Sequence, residues 1–260
     1  MNPSKFEDEV EFMLDVHVPH PTHTWKDFFI HIATICVGLL IAVALEQSVE
    51  ALNRRHEAAE LREILKAESA QILADSQRTE RAQIYQLGWL AGRLKQVQAA
   101  VWDGRKLEAA APDREPYYAS PDIPLWRAAK ESGQAKLLNK GEINGFSEVQ
   151  YVQTRVEMLD RDRDLAESGM GRFHARFPTG KDGAPDLSRA SPEDLRTYLG
   201  LLTAEIDATS RYLTWIRLLI GAETSIQAGK TDLEDIYAAE RKASGSEATM
   251  DPNAIRPAIF

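Results

Sequence analysis

The sequence predicts an all-α fold: a single amino-terminal transmembrane helix that continues into a long helix, followed by an antiparallel helical bundle. Three observations carry this. Apolar residues recur at three- and four-residue spacing along most of the chain, and few stretches alternate as strands require. Residues 28–45 form an apolar run without a charged side chain. No proline follows that run until Pro112, so a long helix can continue out of it. A chain of 260 residues is ample for one such bundle with a sizeable core.

Residues 1–24 read as a flexible tail with a candidate short helix at Phe6–Leu14. Residues 25–46 read as the membrane helix. The run FFIHIATICVGLLIAVAL from Phe28 to Leu45 meets the lower length limit for a bilayer span. Its large apolar side chains together favour insertion by about 3–7 kcal/mol. His31 and Thr34 oppose this only in the first turns. Trp25 and Lys26 stand where an interfacial aromatic and a snorkelling cation belong, and Phe28, Phe29, Leu39 and Leu40 supply apolar anchor surface. Two rival readings exist. Ala42-Val43-Ala44 has the form of a signal-peptide cleavage site, but the preceding segment is long and acidic where a signal is short and basic. A buried core helix leaves the all-round hydrophobicity unexplained.

Residues 47–243 read as the bundle domain. Leu45, Val49, Leu52, Leu61, Leu65 and Ile72 continue the helical spacing, as do Ile84, Leu87, Ala91, Leu94 and Val101. Asp75–Thr79 is the expected bend, because Asp and Ser compete for backbone hydrogen bonds. Gly104 is the expected carboxyl cap. A proline-rich loop covers Glu108–Pro124, and Asp122 is the expected cap of the short helix that follows. That helix stops at Ser132-Gly133. A second long helix carries Val149, Val152, Val156, Leu159, Ala166, Met170 and Phe173, with Arg163 interrupting the stripe. After a loop at Phe177–Ala190, Ser191-Pro192-Glu193-Asp194 starts a third long helix bearing Leu195, Leu199, Leu202, Ile206, Leu213, Ile216 and Ile220. Thr231–Glu234 starts a last short helix, and residues 244–260 read as a disordered tail. Trp89, Trp102, Trp126 and Trp215 are the expected large packing residues.

Several patterns resemble chemical sites, and each has a plainer reading. His17, His20 and His23 offer three imidazoles, but prolines hold that peptide extended. Three extended residues advance the chain about 9–10 Å, too far for neighbouring ligands on one ion. His56-Glu57-Ala58-Ala59-Glu60 departs from the zinc-protease helix motif by ending in Glu, and reads as a charged helix surface. Glu57, Glu60 and Glu63 lack the histidine partners of a di-iron bundle. Asp160–Asp164 alternates acids with arginines on a solvated helix face, although Arg163 points to a carboxylate partner inside the bundle. Trp126, Arg127, Lys130 and Glu142 form the candidate ligand corner: Trp126 and Lys130 share a helix face, and the Ser-Gly turn can return Glu142 toward them. The plainer reading is a packing corner anchored by Trp126. No catalytic, metal-binding or cofactor-binding residue is expected.

The stretches HTWKDFFIHIATICVGLLIAVALEQSVEALNRRHE and PLWRAAKESGQAKLL resemble a group of uncharacterised Gram-negative bacterial single-pass membrane proteins, a domain of unknown function. The first stretch is the specific part and covers about a seventh of the chain. The resemblance implies a short amino tail, one membrane helix, a helical carboxyl domain and an inner-membrane location. It implies no activity.

The net charge of −9, with no basic face, argues against a nucleic-acid partner. Arg54, Arg55, Arg62 and Lys66 outnumber Lys26 and Lys5, which favours a cytoplasmic carboxyl domain. The expected function is a membrane-anchored helical interaction or scaffold protein. Its partners are the bilayer, an unidentified protein and a second copy of itself, the last through a seam at Leu45, Val49 and Leu52. The alternatives are a ligand-sensing helical domain acting through a partner and, less favoured, a metal-dependent enzyme.

Overall fold

The computed structural model describes residues 25–105, 107, 122–179 and 185–245. The expectations for the amino-terminal tail with its three histidines, for most of the proline-rich loop and for residues 246–260 lie outside these. The described residues form five helices: α1 (Trp25–Asp103), α2 (Pro124–Glu131), α3 (Lys140–His174), α4 (Pro192–Gln227) and α5 (Leu233–Ser244). Among the described residues there is no strand, only an isolated antiparallel bridge between Thr179 and Pro185. The chain divides into two units, Met1–Arg54 and Arg55–Phe260.

In the first unit the described part is wholly helical and wholly exposed. Its most apolar 18-residue window has a mean hydropathy of 2.6 and none of it is buried. Polar side chains in and just past the run turn back on the helix: Thr34 Oγ1 donates to the Ile30 carbonyl at 2.9 Å, and Ser48 Oγ to that of Ala44 at 2.7 Å. This satisfies hydroxyls that an apolar solvent could not. Trp25, Phe28 and Phe29 cluster at the start, with ring centroids 5.8–6.2 Å apart.

In the second unit, residues 55–103 of α1 pack with α3 and α4. Cross-helix contacts set the directions. Arg62 on α1 meets Glu142 at the start of α3, and Leu90 and Val97 further along α1 cluster with Met170 and Phe173 near the end of α3, so these two helices run parallel. Ser69 meets Glu223, Gln86 meets Glu205 and Arg93 meets Tyr198, so α4 runs antiparallel to α1.

The core forms two clusters. The first joins Leu61, Leu65 and Ile72 of α1 to Trp126, Val149, Val152, Val156, Ile216, Leu219 and Ile236. The second joins Leu90, Val97 and Ala100 to Met170, Phe173, Tyr198 and Leu202. Burying an apolar side chain in such a cluster stabilises by roughly 1.5–3 kcal/mol.

Caps account for the helix ends. Asn139 and Glu142 form a capping box on α3, with Glu142 N–H donating to Asn139 Oδ1 at 2.9 Å and Asn139 N–H to Glu142 Oε2 at 2.8 Å. Ser191 and Asp194 do the same on α4, as the sequence indicates. Gly104, with φ of 64°, follows the last residue of α1, and Gly133, with φ of 79°, follows α2.

Four expectations need correction. First, α1 runs without a break through Asp75–Thr79. Asp75 accepts hydrogen bonds from the side chains of Gln71 (2.9 Å) and Arg78 (3.3 Å) outside the helix, while Ser76 and Thr79 face the bundle interior. Second, Asp122 does not cap α2. Its cap position is Ile123, and the carboxylate of Glu68, on α1, accepts from Leu125 N–H at 2.8 Å and Trp126 N–H at 3.3 Å. Third, Trp102 is 68 % exposed and Ile84 47 % exposed, so neither packs in the core. The buried side of α1 there is Leu90, Arg93, Val97 and Ala100. Fourth, Leu195, Leu199, Ile206 and Ile220 of the expected α4 stripe are only half-buried, and the buried face of α4 includes Tyr198, Tyr212 and Leu219.

Candidate functional site

The residues of the candidate corner do not converge on one pocket. Trp126 is 1 % exposed, and its ring lies 5.3 Å from that of Phe146. Arg127 pairs with Asp122 at 3.1 Å. Lys130 donates to Gln150 Oε1 at 2.9 Å. Glu142 is held by Arg62 in a two-pronged contact of 2.5 and 3.0 Å. That contact, with the Asn139 N–H, holds the Glu142 carboxyl below its ordinary range. The Ser-Gly turn returns the chain, yet Arg127, Lys130 and Glu142 go to three separate neighbours, and Trp126 Nε1 has no hydrogen-bond partner among the described residues. Trp126 fills the core position of the packing-corner reading.

His56, Glu57 and Glu60 lie exposed on α1. Among the described residues no group of three or more His, Cys, Asp or Glu is placed to hold a metal ion. Leu45, Val49 and Leu52, the expected self-association seam, are 63 %, 59 % and 55 % exposed. Trp25, Phe29, Leu39 and Leu40 are likewise exposed.

The structure shows three polar features inside the bundle that apolar spacing could not reveal. One is a waist between the two core clusters. There the buried residues are Ser76, Thr79, Ala82 and Gln83 from α1, Arg163 from α3, and Glu205, Ala208 and Thr209 from α4. All are polar or small. The helix register places Gln83 level with Thr209. Ser76 Oγ, both amide atoms of Gln83 and Thr209 Oγ1 have no hydrogen-bond partner among the described residues. Arg163 is bound by Asp160 at 2.7 Å and Asp164 at 3.3 Å on its own helix, and its guanidinium stands 5.3 Å from the Tyr212 ring centre. Asp160 and Asp164 are thus carboxylate partners that α3 itself supplies.

The second feature is a pair of acids from α1 and α4. Glu223 is 1 % exposed, and Ser69 Oγ donates to its Oε2. Burial pushes the Glu223 carboxyl up to about 8; the Ser69 hydrogen bond opposes this and the Glu68 charge adds to it. Burial also raises Glu68, against the two α2 amides that it caps. A neutral carboxyl at Glu223 therefore sits beside the carboxylate that holds α2.

The third feature is the seat of α5. A Cβ at Gly221 would lie 2.6 Å from the Ala239 carbonyl oxygen and from Glu240 Cα, and one at Gly145 would lie 2.8 Å from the Thr231 carbonyl oxygen. Backbone thus packs on backbone at both places, which only glycine permits. Glu240 is 8 % exposed and its Oε1 has no hydrogen-bond partner among the described residues. Burial, then the nearby Glu148 charge, pushes its carboxyl up to about 8, against the pull of Arg241.

The sequence does hold a signal for the waist. Ser69, Ser76, Thr79, Gln83 and Arg93 fall on the same three- and four-residue steps as Leu61, Leu65, Ile72, Leu90 and Val97. Only a reading that follows spacing regardless of polarity finds them.

No family model matches the chain, and neither a curated protein nor a solved structure shows significant similarity to it.

Proposed function

We propose that the chain is a membrane-anchored helical interaction protein rather than an enzyme, with the bilayer and other proteins, including a second copy of itself, as partners. One observation carries this: from Phe28 to Leu45 the helix is apolar around its whole circumference and none of that surface is covered. Exposed apolar surface of this extent needs a lipid or protein environment. The resemblance of the anchor to bacterial single-pass proteins supports an inner-membrane location, and the arginine count beyond the run supports a cytoplasmic bundle. Leu45, Val49 and Leu52 continue the apolar surface past the run and suit a contact between two anchored chains.

The test combines topology with assembly. A compartment-dependent reporter fused after Phe260 should report the cytoplasm, and cross-linking in native membranes should trap dimers through positions near Val49. A periplasmic signal refutes the orientation. A strict monomer with no cross-linked partner refutes the interaction role.

The waist favours a second reading. Neutral hydrogen-bonding groups at Ser76, Gln83 and Thr209 face the interior of the bundle, as a domain that senses a small polar ligand would require. Failure of any polar metabolite pool to shift the melting temperature of the purified chain counts against it.

A further inference from the structure

We propose that the self-association seam continues along the apolar run through Ile41, Gly38, Thr34 and His31 to Asp27, and that a second, parallel copy of this chain covers that face. This rests on the anchor and the self-association proposed above, and it identifies the surface that the anchor itself gives to the contact.

Spacing defines the face. From Asp27 to Ile41 these residues follow one another at steps of four and three, and Leu45, Val49 and Leu52 continue in the same steps. At about 3.6 residues per turn, all of them fall within about 40° of one line along α1. Inside the run this line is the polar side of the helix. Between Asp27 and Leu45 the charged or strongly hydrogen-bonding side chains are Asp27, His31 and Thr34, and all lie on it. Gly38, the glycine of the run, lies there too, and a Cβ built on it would meet no atom within 4 Å. The opposite side carries Phe29, Ile32, Leu40 and Val43.

Past Leu45 the pattern inverts. The same line is now apolar, with Leu45, Val49 and Leu52 at 63 %, 59 % and 55 % exposure. The opposite side turns polar at Gln47, Glu50 and Arg54, and Arg54 pairs with Glu50 at 2.5 Å. One face is therefore poorly solvated in both environments. Lipid offers nothing to a carboxylate or an imidazole, and water offers nothing to a row of branched apolar side chains. Another helix satisfies both halves. Small and polar residues let spanning helices approach closely and hydrogen-bond across the contact. Thr34 Oγ1 donates to the Ile30 carbonyl and still has lone pairs with which to accept from a neighbour.

Charge complementarity selects a second copy as that helix. Asp27 and His31 place an acid and a base one turn apart on the same face. In a parallel pair with two-fold symmetry, Asp27 of each chain can reach His31 of the other, so the contact is made twice. Anchoring enforces this arrangement, because copies inserted by one route lie parallel and at one depth, with the same residues level. Lipid then faces the apolar side at Phe29, Ile32, Leu40 and Val43.

Single cysteines in the full chain carrying Cys36→Ala, oxidised in native membranes, read the face. Thr34→Cys, Ile41→Cys and Val49→Cys should give disulfide-linked products of twice the chain mass, whereas Leu40→Cys and Val43→Cys should not. Gly38→Leu should weaken the dimer trapped at Val49→Cys by about 3–30-fold. His31→Asp should also weaken it, and adding Asp27→His should restore it, because a second copy carries both changes and a different protein does not. Alkaline extraction of the same membranes separates the possible failures. Loss of the chain from the pellet refutes the anchor. A retained chain that links at Val49→Cys but not at Thr34→Cys or Ile41→Cys refutes the continuation and leaves the proposed role standing. Equal linking at Ile41→Cys and Leu40→Cys, a linked product of another mass, or no link at any position also overturns it.

Discussion

The buried Glu223 makes the whole bundle sensitive to pH in a direction opposite to ordinary acid denaturation. Its carboxyl titrates near 8 in the folded chain against 4.5 when unfolded. The folded state therefore holds one more proton than the unfolded state between those values. The stability that this acid contributes is complete below 4.5, falls as pH rises, and is fully lost above about 8. The slope is about −1.4 kcal/mol per pH unit, and at pH 7 the accumulated cost is about 3 kcal/mol. Glu223→Gln removes the ionisation and keeps an oxygen to accept from Ser69. The variant should be more stable than the parent by about 2–3 kcal/mol at pH 7, and equal to it within about 0.5 kcal/mol near pH 4.5. Guanidinium denaturation of the full chain in nanodiscs, followed by tryptophan fluorescence at several pH values, measures this. A parallel shift of the two proteins at all pH values refutes the reasoning, since it means that Glu223 is ionised in the fold. A loss of stability at pH 7 also refutes it.

The remaining predictions concern packing and capping. Leu65→Ala, at a fully buried position, should cost about 2–5 kcal/mol in the same denaturation assay, whereas Trp102→Ala should change stability by less than about 0.5 kcal/mol. Reversed magnitudes show that the register of α1 is misassigned. Glu68→Ala should cost about 0.5–2 kcal/mol by removing the acceptor for two α2 amides, and hydrogen exchange should rise first at Leu125 and Trp126. Gln83→Leu should stabilise by about 1–3 kcal/mol if nothing binds its amide; a loss of similar size instead identifies an occupied waist and favours the sensing reading.

Much of the fold was legible because the relevant signals are local. The Ser191-Pro192-Glu193-Asp194 start, the glycines after α1 and α2, and the charge-free run at Phe28–Leu45 act through backbone chemistry within a few residues. What escaped depends on partners distant in sequence. The cap of α2 comes from Glu68, over fifty residues earlier, where the neighbouring Asp122 looked sufficient. Asp75–Thr79 reads as a bend because Asp and Ser compete for backbone groups, yet the helix is unbroken there and Ser76 and Thr79 are buried in the bundle. The candidate corner was plausible by spacing, but Arg62 and Gln150 take two of its four polar ends. Glu223 and Glu240 carry no motif at all. They look like surface acids until the helices that cover them are known.

The proposed role depends above all on the apolar run acting as a retained membrane anchor. The most direct test is intact mass spectrometry of the protein that remains in membranes after alkaline extraction. A retained anchor leaves the uncleaved chain, with residues 1–44 present, in the membrane pellet. A soluble product beginning after Ala44 would show that the run is a signal sequence and would contradict it.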